Sequence, residues 1–469
     1  MLSGERRQNM LSKLAITEDR PGCGLKPTEG TRYYRLLRIF AVISFFVMIA
    51  AQMLLLILFS GKQTSDSGVY LFLAKQCAEN GLWYPSVEHL SQTYIFGNGL
   101  VNLIALILRV TSDLRVFFFI NMLFVQMLLW SCLYIIKKAF RRNTICFWFV
   151  ILFCLLNTFW SEIVQLKTEV PFSALAFCGL ALLYSGKKWA YPAAGILLAL
   201  ANWVRPIALA FLIGAVCVIL IKSKKLRHIL SLLGSYAAVI LLIGCISFAS
   251  CGHFVYQAVT FGYNFIMSAN DDADGSYMNL VGEGQVGYID PELKKDMTFK
   301  DCDEYYTKLS LEWIKEHPGD YLKQIPAKLF FLYGTETYSG TAYFNNEKFT
   351  GGMAYIKSVA NKFTGHSDEP IHIGDVLIIL NQIWYMMICV LFASGTVLLF
   401  KKKQWRSMLP LWLSMLCGTG ITVVVVGAAR YHAPYLPIMM VCAAFACECI
   451  FSGEKKKIAE KYTQENPLD

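Results

Sequence analysis

Charge is scarce in this 469-residue chain: Asp, Glu, Lys and Arg together make up 16% of it, where a soluble domain carries about 25%. Set against 56% apolar residues, that deficit excludes an ordinary soluble globular protein. Tracts of Gly, Pro and Ser are missing, and nothing recurs at repeat length, so disordered, low-complexity and solenoid readings drop out. Strands of alternating polarity are missing too, which argues against a membrane β-barrel. Metal spacing is absent: Cys442, Cys447 and Cys449 form the nearest cysteine cluster, without a His or a second CxxC beside them. Most of the fifteen cysteines, such as Cys132, Cys154, Cys178 and Cys217, fall inside apolar blocks, where a thiol behaves as a small hydrophobe and no disulfide framework follows.

What the chain does have is long apolar blocks. Ile39 to Phe59, Ile229 to Phe248 and Val376 to Phe400 are each near the ~20 residues a spanning helix needs. The sequence predicts an all-α polytopic membrane protein of about ten transmembrane helices, near 39–60, 115–136, 145–161, 170–185, 190–203, 206–221, 229–249, 374–400, 408–428 and 434–451. Eight Lys or Arg precede the first block, so it reads as an uncleaved anchor with residues 1–38 as a cytoplasmic tail, flexible over 1–30.

The block Tyr94 to Val110 sets the topology. It is short and carries Asn98, Asn102 and two glycines, so it is expected to lie on the outer surface as an interfacial helix. That choice places 26 of the 43 basic residues inside, in clusters such as Lys137–Arg142, Lys222–Arg227, Lys401–Arg406 and Lys455–Lys461; counting the block as a span would put all the later clusters outside. The expected organisation is a catalytic transmembrane module over 39–249 with an extracytoplasmic loop at 61–114. A large, partly helical extracytoplasmic loop follows at 250–371, then C-terminal transmembrane helices over 372–451 and a cytoplasmic tail over 452–469. Both termini are then cytoplasmic in a multi-pass protein of the plasma membrane. In the large loop Asp301–His317 and Gly319–Tyr333 read as helices, with Trp313, Tyr321, Phe330 and Phe331 suited to the membrane interface. The net charge of +10 is accounted for by these inner clusters, and no nucleic-acid partner is expected.

Charged residues beside apolar helices are the candidates for chemistry. Asp66 follows the first span and is either a first-turn acid of the next helix or a functional carboxylate. Glu169, at the outer mouth of spans three and four with Lys167 and Glu162 nearby, must be hydrated, paired or functional. Arg205 and Arg430 both fall on the outer side, where an arginine snorkels or grips a phosphate or carboxylate with its planar fork. Two such arginines on the same face as two acids point to an anionic ligand bound beside a proton acceptor. Asn270–Gly275 starts like a calcium loop but has Val281 at its twelfth position, so it reads as a solvated acidic turn; Gly282–Gly287 is a weak phosphate-cradle candidate.

Taken in order, these residues resemble the GT-C membrane glycosyltransferases, in particular the branch of protein O-mannosyltransferases and the aminoarabinose transferase of lipid A. The likeness rests on Asp66 with Tyr70, Ala74 and Gly81; an interfacial helix before span two; Thr168-Glu169-x-Pro171; Arg205-Pro206; and Arg430-Tyr431-x2-Pro434-x2-Pro437. The run from Trp313 through His317-Pro318 and Tyr321 to Lys328 adds to it. The resemblance implies inverting transfer of a sugar from a polyprenyl-phosphate donor to a glycan, lipid or protein acceptor on the outer face. By position, Asp66 would be the general base and Glu169 would help to place acceptor or sugar. Arg205 and Arg430 would bind the donor phosphate, with Tyr431 and His432 in support. Relatives often open the interfacial helix with Pro-Pro and a Lys; here the stretch is Glu88 to Tyr94, and His89 is the one local substitute. The first loop also lacks Asp-x-Asp, Ser65 and Ser67 flanking Asp66 and residue 68 being Gly. No metal and no cofactor are therefore expected. A transporter or flippase, or a polymerase or ligase of polyprenyl-linked glycans, would also need many spans; charges gathered at one face, with no inverted repeat, weigh against transport.

Overall fold

The structure, a computed structural model, describes residues 32–58, 63, 65–277, 284–337 and 352–465. The expected N-terminal tail up to residue 31 and the run Gly282–Gly287 lie outside the described residues, the latter in part. The helices that matter below are α1 (Arg32–Leu58), α2 (Ser65–Glu79), α3 (Asn98–Leu108), α4 (Arg115–Phe140), α5 (Asn143–Leu155), α6 (Glu169–Leu183), α7 (Ala190–Val204) and α8 (Ala208–Lys222). They continue with α9 (Leu226–Cys251), α10 (Phe299–Glu316), α11 (Ile325–Tyr333), α12 (Ile373–Lys401), α13 (Leu409–Val425) and α14 (Leu436–Glu465). No β-strand occurs among the described residues, beyond isolated bridges at Ile95–Val259 and Ser276–Gly427.

Five helices are long and apolar enough to cross a membrane: α1, α4, α9, α12 and the stretch Ala429–Ser452. A sixth results if Asn143–Leu155 and Thr158–Val164, bent by 59°, count as one. Only 17% of the apolar window of α9 is buried in the protein. A helix apolar all round and so little covered needs an apolar solvent on its outer face, which a bilayer supplies. The protein is thus a helical membrane protein. Its last helix continues as one element to Glu465, past residue 451, where the sequence suggested that helix ends.

Five further apolar helices among the described residues are short, α3 with 11 residues among them. The helices α6, α7 and α8 have 15 residues each and α13 has 17, which at 1.5 Å per residue is about 22–26 Å. They stop at Glu169, Val204, Ala208 and Val425, all beside one cavity. Arg205 is extended (φ −152°, ψ 128°) between α7 and α8, with Pro206 behind it, as the sequence placed that boundary. The helix α13 gives way at Val426, also extended. Gly427 then passes so close to the backbone of Lys328 that a side chain there would meet its carbonyl.

Two sequence expectations change. The stretch 145–161 is not one straight helix: Leu156 is extended, and the Asn157 N–H donates to Asn381 Oδ1 at 2.8 Å, so a partner from α12 replaces the helical acceptor. The block at 94–110 is not helical throughout. Only Asn98–Leu108 is helical, and its first half is buried, because Gly97 and Gly99 let it abut the backbone of Trp203 and Val204 at the end of α7. Residues 299–333 form three helices, Phe299–Glu316, Pro318–Lys323 and Ile325–Tyr333, close to the expected pair. The first starts with a capping box in which Thr298 and Asp301 bond each other's backbone N–H.

Candidate active site

Where the short helices end they enclose a cavity of about 490 Å³. Its charged wall is assembled from four distant parts of the chain. Asp66 lies in the first turn of α2, where a negative charge suits the helix dipole, but its carboxylate is turned to Arg430 and forms an ion pair with its guanidinium. The Arg430 Nε lies 3.2 Å from Glu169 Oε1, and Arg205 Nη1 lies 2.7 Å from the same oxygen. Arg205 also donates to Thr168 Oγ1 at 3.2 Å. Asp66, Arg430, Glu169 and Arg205 thus form one chain of alternating charge.

Exposure differs along it. The Glu169 side chain is 1% exposed and Arg205 10%, whereas Arg430 is 20% and Asp66 33% exposed. A carboxylate as buried as Glu169 persists as an ion only when paired, and two guanidinium groups share it. Tyr431 stands between them, its ring centroid 5.1 Å from Arg205 Cζ and 5.6 Å from Arg430 Cζ, within cation–π range. Buried Lys167 adds a third cation whose charge acts on Glu169.

The other walls differ in kind. Phe330, Phe331, Ile421 and Val425 present apolar surface to the cavity, and Phe330 and Ile421 are exposed. Tyr94, Tyr263 and Tyr277 also line the space, with Asn264. Burial, reinforced by neighbouring tyrosines and by Asp66, pushes Tyr94 and Tyr263 up to about 12 and Tyr277 above its ordinary value. All three stay neutral phenols near neutral pH. Gly97, at the start of α3, packs beside Thr168 and the Tyr70 hydroxyl, and a Cβ there would stand 2.7 Å from the Val204 carbonyl.

Of the seven sequence candidates, the structure brings Asp66, Glu169, Arg205, Arg430 and Tyr431 together. It does not bring His89 or His432 to the cavity. The His89 ring is buried, with Nδ1 against Ser86 Oγ at 2.8 Å and its edge on Tyr84; burial also lowers its pKa, which does not suit an anion contact. His432 is wholly buried behind the wall: Nδ1 donates to the Leu332 carbonyl at 2.6 Å and Nε2 lies 2.7 Å from Glu336 Oε2. Sequence reasoning missed Glu336, whose signal was an acid in the polar run Gly334–Thr337 directly after an apolar helix. It also missed the three tyrosines, which nothing in their local sequence marks. Trp313 donates to Asp271 at 2.8 Å. Asp274 turns back on its own backbone by accepting from the Ser276 N–H, and no group of His, Cys, Asp and Glu among the described residues could hold a metal.

The arrangement offers a partly exposed carboxylate, a pair of guanidinium groups, an apolar surface and a set of phenols. No protein-family model matches the chain, and no curated protein matches it significantly.

Proposed function

We propose that the protein is a membrane glycosyltransferase that moves a sugar from a polyprenyl-phosphate donor to an acceptor hydroxyl with inversion. The observation that carries this reading is that Asp66, Arg205 and Arg430 meet on one cavity with apolar lining, while buried Glu169 ties the two arginines together behind it. A lipid-linked phosphate needs both halves of that site: cations for the headgroup and an apolar surface for the first units of its chain.

In the reaction the donor phosphate takes the guanidinium groups of Arg205 and Arg430. Arg430 then exchanges Asp66 for phosphate oxygen, and the Asp66 carboxylate is free to accept a proton. The acceptor hydroxyl passes that proton to Asp66 while its oxygen bonds to the anomeric carbon. The bond from that carbon to the phosphate oxygen breaks, and its electrons leave with the polyprenyl phosphate. A positioned base contributes about 10²–10⁴-fold, and fixed cations at the leaving group lower the barrier further because the charge develops there. A single displacement from the face opposite the phosphate inverts the anomeric centre. Glu169 holds both arginines in place.

In this reading the four short apolar helices α6, α7, α8 and α13 join the long ones and the bent pair as spans, giving ten. Both termini are cytoplasmic and the cavity opens on the extracytoplasmic face of the cell membrane. The loop charges support that orientation.

The test is release of free polyprenyl phosphate from a panel of polyprenyl-phosphate sugars by the protein in nanodiscs, wild type beside Asp66→Asn. Release that vanishes in the variant while donor binding survives is the expected result. Equal release by both proteins, or none with any donor, overturns the proposal and leaves Asp66 a structural partner of Arg430, as a transporter could equally have.

A further inference from the structure

The charged quartet and the apolar wall account for a donor. They leave a wall of tyrosines, Tyr94, Tyr263 and Tyr277, without a role. We propose that this wall is a saccharide-binding subsite, so that the hydroxyl presented to Asp66 belongs to a carbohydrate acceptor rather than to a peptide or a simple lipid. The inference rests on the glycosyltransferase reading for its consequence, though the subsite itself is argued from its own chemistry.

The wall is built to hold its shape. Tyr94 and Tyr263 come from distant segments, yet their ring centroids lie 4.5 Å apart at 35°. The backbone beside them is tied by reciprocal hydrogen bonds between Ile95 and Val259, at 3.0 and 2.9 Å. Behind Tyr263 stands Tyr306, edge to face at 6.1 Å, whose hydroxyl donates to the Gly287 carbonyl. Tyr277 is 53% exposed and joins Tyr263 by a side-chain hydrogen bond. The Asp66 charge acts on all three phenols, so a molecule lying on the wall is beside the base.

A phenol presents an apolar ring face with a polar rim. A pyranose has the same division, a C–H face and a rim of hydroxyls, and the two complement each other. The cavity's lining charges among the described residues are Asp66, Arg205 and Arg430; the phenols carry no cation of their own, so a phosphate finds no counter-ion on them. The wall of Phe330, Phe331, Ile421 and Val425 offers no side-chain polar atom and suits a lipid instead. The asymmetry of the two walls assigns a chain to one and a sugar ring to the other.

Saturation-transfer NMR on the full-length protein in nanodiscs tests this, with methyl glycosides of mannose, glucose, galactose and N-acetylglucosamine as probes and an uncharged Ser/Thr hexapeptide as comparison. At least one glycoside should bind through its ring protons, and more tightly than the peptide. Tyr277→Ala should weaken that binding about tenfold, as loss of one aromatic anchor does, while Tyr277→Phe keeps the ring face and most of the affinity. Tyr277 is half exposed, so the alanine variant should melt as wild type does. If it does not, Tyr94→Ala is read in its place. Binding should persist when a polyprenyl-phosphate sugar fills the donor site. No glycoside binding, binding indifferent to these variants, preference for the peptide, or displacement by the donor, which would make the wall the donor's own sugar site, overturns the inference. Donor binding is measured separately on Arg205→Ala. Glycoside binding without any donor binding would sink the transferase reading and leave the subsite standing.

Discussion

Arg430 bridges Asp66 and Glu169, holding one carboxylate through Nη1 and the other through Nε. Asp66 and Arg430 are 364 residues apart in sequence, so their pairing closes the site between the first and last parts of the fold. It also means that the proposed base and the proposed phosphate ligand are bound to each other until a donor arrives. Order follows: the acceptor hydroxyl can use Asp66 only after phosphate has drawn Arg430 away. Initial-rate kinetics should therefore show ordered addition, donor first, and Arg430→Gln should lower turnover by about 10²–10³-fold, as loss of a cation at a developing charge does. Random addition, or an Arg430→Gln enzyme of near wild-type turnover, would sink this account.

Glu169 makes a different prediction. Its carboxylate is the sole anion between Arg205 and Arg430 that is buried from water, so Glu169→Gln leaves two cations close together without their common counter-ion. Removing one member of a buried pair costs about 3–5 kcal/mol. The variant should melt well below wild type even without any donor, which marks the residue as holding the arginines. Combining Glu169→Gln with Arg205→Met should restore part of the melting temperature, because an uncompensated cation is removed. A single variant as stable as wild type would refute the role.

How far the site was legible follows from which partners are local. Glu169, Arg205 and Arg430 stood out because a charge beside an apolar helix is costly and rare, and that cost is visible in any short window. Asp66 was ambiguous because a first-turn acid has a local explanation, the helix dipole, and only the contact with Arg430 adds a second. The break at Leu156 was invisible: Asn381, which accepts from the freed Asn157 N–H, and Glu336, which accepts from the Thr158 hydroxyl, lie more than 170 residues away. His89 misled for the opposite reason. A histidine close to the expected helix looked like a ligand, while its actual partner, Ser86, is three residues away and closes a buried turn. The tyrosine wall drew no attention because its members come from three segments, Tyr94 at the start of the block read as an interfacial helix and Tyr263 and Tyr277 in the large loop, and nothing local links them.

Lys328 allows a pH prediction. It is buried, its Nζ has no hydrogen-bond partner among the described residues, and it lies 4.2 Å from the centre of the Tyr321 ring. Burial pushes its pKa down to about 8, against about 10.4 for a free lysine. Between those values the unfolded chain holds a proton that the folded protein has released, so stability rises with pH from about 8 to about 10.4 and this contribution is flat below. Lys328→Met removes the buried ammonium and should stabilise the protein at pH 7, with the gap to wild type closing as pH approaches 10. Melting curves over that range decide it; a gap that does not change with pH would count against it.

His432 and Glu336 hold the turn that presents Arg430. In the 3-10 turn Ala429–Tyr435, Arg430 and Tyr431 face the cavity, while His432 faces the interior and meets Glu336 at 2.7 Å. Glu336 in turn accepts from Thr158 Oγ1 at 2.6 Å, and its backbone carbonyl accepts from Asn381 at 2.8 Å. Because the Leu332 carbonyl can only accept, Nδ1 of His432 donates to it, which leaves Nε2 facing Glu336. Glu336→Ala removes the acceptor for both His432 and Thr158 and leaves two buried polar groups without it, a loss of about 1–3 kcal/mol for each group. Thr158→Ala removes one donor and should cost less, so the expected order of melting temperatures is wild type, Thr158→Ala, Glu336→Gln, Glu336→Ala. If the pair also sets the position of Arg430, the same order should appear in donor affinity. Variants that melt in this order yet bind donor as wild type does would confine His432 and Glu336 to stability.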